Sequence, residues 1–94
     1  MYTSLVLKRV GFSAKKRRLV LTDFPRLFYI DPSKNELKGE ISWSSALRTE
    51  KKTYKDFFII TPKRTYQLED LNGEAERWIN NINTVLMKQK NNKK

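Results

Sequence analysis

The 94-residue chain contains neither cysteine nor histidine. There can be no disulfide framework, no thiol nucleophile, no imidazole base and no ordinary zinc site. The core must stand on apolar side chains alone, which fits a cytosolic protein without requiring one. Glycine is also scarce, at Gly11, Gly39 and Gly73, too dispersed for a phosphate-cradling loop. The longest unbroken apolar runs are four residues, 27–30 and 57–60. No segment spans a bilayer, and no apolar signal region follows Met1. Acids are few, ten Asp and Glu against twenty Lys and Arg, and they do not cluster. Neither a catalytic centre nor a metal or cofactor site is expected.

What remains is a small, basic, patterned chain. The net charge of +10 argues for a polyanionic partner: nucleic acid, anionic lipid or an acidic protein surface. At 38% apolar and 12% aromatic residues the chain can form one modest core, hence a single domain over 1–94 with its core at 2–88. Residues 89–94 read as a frayed basic tail.

Short alternating segments fill the first seventy residues. Strands are expected at 2–9, 15–23, 26–30, 36–42, 55–61 and 64–69, with one more inside the irregular stretch 43–54. Pro62-Lys63 reads as a tight hairpin, and the run Asp31-Pro32-Ser33-Lys34-Asn35 as a turn. In the fourth strand, strict alternation puts Leu37, Gly39 and Ile41 on one face and Lys38 and Glu40 on the other. The period then changes. Ala75, Trp78, Ile79, Ile82, Val85 and Leu86 follow the spacing of an amphipathic helix, with Asn72 as the expected N-cap. The fold class is therefore mainly β, a seven-stranded bent barrel or sandwich capped by one C-terminal amphipathic helix.

One cluster carries the functional signal. Lys8, Arg9, Lys15, Lys16, Arg17 and Arg18 place six cations within eleven residues. Alternate side chains of a strand share a face, so Lys15 and Arg17 point one way and Lys16 and Arg18 the other. Leu19 and Leu21 continue the Lys15/Arg17 face as apolar residues, so that face runs from a charged loop mouth to a buried interior. Lys8 faces the same opening if the first two strands form a hairpin. Converging Lys and Arg suit phosphate. The run also fits a solvated edge that resists aggregation, and more weakly a nuclear-localisation segment.

The spacing Lys8, six residues, Lys15-Lys16-Arg17 resembles the K-x(n)-(K/R)-x-R signature of phosphoinositide-binding pleckstrin homology domains. The runs L-V-L-T-D-F-P-R-L-F-Y-I-D-P (19–32), L-K-G-E-I-S-W-S (37–44) and F-F-I-I-T-P-K-R-T-Y (57–66), with Trp78 in the helix, narrow the likeness. They resemble the pleckstrin homology domains of 3-phosphoinositide-dependent protein kinases, over roughly residues 5–88.

The resemblance implies a pleckstrin homology fold and a headgroup site made by Lys8, Lys15, Arg17, Tyr29, Lys38 and Arg64, with Arg9, Lys16 and Arg18 as auxiliary cations. It further implies an ATP-binding serine/threonine kinase as parent, its kinase domain lying N-terminal to this module, so that Met1 need not be the natural start. A cytoplasmic, monomeric module recruited peripherally to the plasma membrane is expected, with no nucleic acid partner. Val10 stands where animal members carry another pocket lysine, and Lys15 replaces an arginine. These departures suit a distant member such as a fungal one and weaken the expectation of 3-phosphate preference. The alternative is a protein-interaction or autoinhibitory module with only non-specific affinity for anionic lipid.

Overall fold

The computed structural model describes residues 1–92. Seven strands form one antiparallel sheet: β1 (Tyr2–Val10), β2 (Ser13–Thr22), β3 (Arg26–Asp31), β4 (Glu36–Ile41), β5 (Arg48–Lys51), β6 (Asp56–Ile60) and β7 (Thr65–Asp70). The helix α1 (Ala75–Asn92) follows. The sheet order is β4-β3-β2-β1-β7-β6-β5, leaving β4 and β5 as its edges. Inward residues of six strands and the helix share one core, so the sheet curls round on itself. This is the expected architecture.

Two-residue alternation sets the inner face. Val6, Leu19, Leu21, Leu27, Ile41, Phe57, Ile59 and Leu68 are buried there. The helix adds Ala75, Trp78, Ile82 and Val85, the apolar stripe its period implied. Trp78 is the anchor. Its ring lies edge-on to Tyr2 at 4.5 Å between centroids and stacked with Phe57 at 6.3 Å. Leu47, in the stretch read as irregular and polar, is also a core residue at the entrance to β5.

Asn72 does not cap the helix. The buried Asp70 does so from the end of β7, its Oδ2 accepting the Glu74 N–H at 2.7 Å. Its Oδ1 accepts the Ser4 hydroxyl at 2.7 Å, and Ser4 Oγ in turn accepts the Trp78 indole N–H at 2.8 Å. This chain of bonds ties β1, β7 and α1 together at one end of the sheet. The helix continues through Asn92, past the point at which fraying was expected. Lys93 and Lys94, the rest of that tail, lie outside the described residues.

Two turns fix the opposite end. The β1–β2 turn is only Gly11-Phe12, closed by the Val10–Ser13 pair, with Gly11 at φ 60° as a two-residue hairpin of type II′ requires. The basic cluster therefore lies on a paired ladder, not on an open loop. Between β6 and β7, Thr61 and Arg64 bond reciprocally: Thr61 Oγ1 donates to the Arg64 carbonyl at 2.9 Å and accepts the Arg64 N–H at 3.1 Å.

Candidate anion-binding site

Register decides which cations meet. Lys8 stands opposite Lys15 and Val6 opposite Arg17, so Lys8, Lys15 and Arg17 share the inward face of the β1–β2 hairpin. Lys16 and Arg18 pair with Leu7 and Leu5 on the outer face. Arg9, also outward, is taken by Glu69 at 3.2 Å. Of the six clustered cations, three aim at the end of the curled sheet and the three auxiliary ones do not.

At that end, the stem of Lys8 is buried and the residue is only 8% exposed. Its ammonium lies over the Tyr29 ring at 5.1 Å from the centroid and the Tyr66 ring at 5.9 Å. The Arg64 guanidinium covers the Tyr66 ring at 4.6 Å. Burial, then the neighbouring Arg64 and Arg17 charges, hold Lys8 below the usual lysine pKa. Burial raises the Tyr29 phenol, with Tyr66 adding to the rise and Arg64 and Arg17 opposing it. Among the described residues, the Lys8 ammonium makes no hydrogen bond and no ion pair with a carboxylate. Like charges directly opposite on neighbouring strands destabilise the pair, as Lys8 and Lys15 do here. An anion at this point would relieve that repulsion.

Arg17 is mostly buried and donates to the Lys16 carbonyl at 3.0 Å, with Asp31 at 4.0 Å. Asp31 does more than cap a turn. Its Oδ1 accepts the Ser33 hydroxyl at 2.7 Å and the Ser33 N–H at 2.9 Å, and these bonds hold its carboxyl below the usual range. Glu36, opposite Asp31 in the β3–β4 ladder, pairs with Lys38 at 3.6 Å. Two acids thus line the rim beside two of the expected ligands.

Lys38 is placed by an irregularity that alternation does not reveal. The β3–β4 register shifts between Tyr29 and Ile30, where Gly39 faces Tyr29 and Leu37 faces Ile30. Lys38 is left unopposed, as in a β-bulge, which re-aims side chains. Leu37 accordingly does not share a face with Gly39 and Ile41 as expected; it is 57% exposed, whereas Ile41 is buried. Gly39 is needed for another reason. A Cβ there would collide with the Tyr29 hydroxyl and Cζ, so glycine makes room for the phenol end of that ring against β4.

Of the expected site residues, the structure gathers Lys8, Arg17, Tyr29 and Arg64 around one point. Lys15 is exposed on the same face, and Lys38 sits at the rim. Val10 is 42% exposed beside the turn and adds no charge. Tyr66, Asp31 and Glu36 complete the surroundings. Tyr66, two residues after Arg64 in the run T-P-K-R-T-Y, is buried and was not among the expected site residues.

Across residues 1–91 the sequence matches the protein family described as PH domain. It is 52% identical over 87 residues to probable serine/threonine-protein kinase pdkA of Dictyostelium discoideum, covering 93% of this chain and 13% of that protein. It is 50% identical over 78 residues to 3-phosphoinositide-dependent protein kinase 1 of Homo sapiens, covering 83% and 14%. The Caenorhabditis elegans protein of the same name is 42% identical over 78 residues, covering 83% and 12%. The chain thus spans about one-seventh of the length of these relatives or less.

Proposed function

The chain belongs to the PH domain family, and from that premise we propose that it recruits a serine/threonine kinase to membranes by binding phosphoinositide headgroups at the Lys8 end of the sheet. A PH domain is a non-catalytic module, and the kinase glycine loop, H-R-D and D-F-G motifs are absent from this sequence. No helix among the described residues is long and apolar enough to cross a membrane, so attachment by this module would be peripheral.

The observation that carries the reading is the state of Lys8. The Lys8 stem is buried while its ammonium stays open to solvent, and a cation so held is expected to find a counter-charge. The ammonium is held against two tyrosine rings, within reach of the Arg64 and Arg17 charges, with no carboxylate bonded to it. An anion would supply that counter-charge. Arg17 and Arg64 offer planar forks for phosphate oxygens, and Lys15 and Lys38 offer point charges at the entrance. Each charge-assisted bond contributes about 1.5–3 kcal/mol.

A second, lipid-blind attraction works beside the specific one. Each Lys or Arg close to an anionic leaflet contributes about 1 kcal/mol, so Arg9, Lys16 and Arg18 aid adsorption without reading a headgroup. Vesicle binding alone therefore cannot test the proposal. The test compares vesicles carrying a phosphoinositide with vesicles matched in charge by phosphatidylserine. Preference for the phosphoinositide, lost in Arg64→Ala, supports a headgroup site. Equal binding to both supports the interaction-module alternative.

A further inference from the structure

We propose that Lys8 captures small phosphorylated aldehydes as a Schiff base, making the anion site a covalent one for that class of compound. The inference rests on the anion-site reading for its phosphate grip but needs no lipid.

Among the eleven lysines of the described residues, Lys8 differs from the others in its surroundings. Lys38, Lys51 and Lys55 each pair with a glutamate, at 3.6, 3.9 and 3.9 Å. Lys15, Lys16, Lys34, Lys52 and Lys63 are exposed. Lys8 combines a buried stem, two aromatic rings and two neighbouring guanidiniums. These are conditions that favour the neutral, nucleophilic form of a lysine: desolvation and an adjacent cation. The lowered pKa follows from the same geometry.

The amine is still reachable. Among the described residues no fully buried side-chain nitrogen lacks a hydrogen-bond partner, and Lys8 Nζ has none, so that atom opens to solvent.

Phosphate supplies the selectivity. A phosphate held by Arg17 and Arg64 places the aldehyde of the same small molecule beside Nζ, raising its effective concentration there. The neutral amine adds to the carbonyl carbon to give a carbinolamine. The carbon–oxygen bond then breaks, and the oxygen leaves as water with the two hydrogens of the amine. A carbon–nitrogen double bond remains, with no change of oxidation state. The adduct fills the place of a headgroup phosphate, so such aldehydes and anionic lipid would exclude one another.

The experiment treats the whole chain with limiting pyridoxal 5′-phosphate at neutral pH, reduces the imine with borohydride and maps adducts by peptide mass spectrometry. Pyridoxal without phosphate runs in parallel. The expected result is labelling of Lys8 at least about tenfold above any exposed lysine, dependent on the phosphate and lost in a folded Arg17→Ala/Arg64→Ala variant. Labelling spread over Lys34, Lys63 and other exposed lysines, or equal labelling by pyridoxal, overturns the inference. Selective labelling without inositol phosphate binding upholds it and overturns the lipid reading. Headgroup binding with unselective labelling overturns this inference alone.

Discussion

Replacing Asp70 by asparagine tests the bonds that seat the helix. The Asp70 carboxylate is 1% exposed and accepts two hydrogen bonds of 2.7 Å, from Ser4 Oγ and the Glu74 N–H. Asparagine has the same shape but only one oxygen. Whichever way the amide turns, its NH2 meets a donor: the Glu74 N–H, or a Ser4 hydroxyl that already accepts the Trp78 indole. One bond to a charged acceptor is lost, at about 1.5–3 kcal/mol, and a donor is left unsatisfied. We expect Asp70→Asn to cost about 2–3 kcal/mol in urea denaturation, lowering Tm by about 10–20 °C in a domain of this size. Because Ser4 and Asp70 act in one chain of bonds, Ser4→Ala with Asp70→Asn should couple by at least about 0.5 kcal/mol in a double-mutant cycle. A loss below about 0.5 kcal/mol for Asp70→Asn, or strict additivity with Ser4→Ala, would refute the reasoning.

Three further outcomes follow from the same geometry. Gly39→Ala should cost about 1–3 kcal/mol and weaken headgroup binding, because the new methyl displaces the Tyr29 ring that lies under Lys8; an unchanged denaturation midpoint would show that the ring moves freely. Ile82→Ala, at a fully buried helix position, should cost about 2–5 kcal/mol in the same assay, and a loss under about 1 kcal/mol would mean the helix is not packed as described. The third concerns pH. Folded Lys8 binds fewer protons than unfolded Lys8 between its lowered pKa and the usual value of about 10.4, so its contribution to stability rises with pH across that window. Anion affinity moves the other way, falling as Lys8 deprotonates. Titrations at rising alkaline pH should lose inositol phosphate affinity sooner in the native protein than in Lys8→Arg; parallel losses would place the titrating group elsewhere.

The parts of the fold that depend on period were legible. Two-residue alternation gave the inner face of β2, and a 3.6-residue repeat gave every buried residue of α1. What was not legible depends on contacts distant in sequence. Asn72 looked like the cap because it stands close before the helix, whereas Asp70 fills the role by reaching Ser4, sixty-six residues away. Lys38 looked like an outward residue because alternation assumes an unbroken ladder, and only pairing with β3 exposes the register shift. The site divides similarly. Strand parity separated Lys15 and Arg17 from Lys16 and Arg18, and the resemblance to pleckstrin homology domains supplied Lys38, Arg64 and Tyr29. Neither indicated that Asp31 and Glu36 would stand beside Arg17 and Lys38.

Calorimetric titration with soluble inositol phosphates, bearing or lacking the 3-phosphate, tests the central claim most directly, because it removes the lipid-blind membrane attraction. Micromolar or tighter binding is expected at physiological salt (roughly −8 kcal/mol or better), lost in Arg17→Ala and retained in Lys88→Ala, which removes the same charge from the exposed end of the helix. Weak binding that scales only with phosphate count and falls equally in both variants would contradict it.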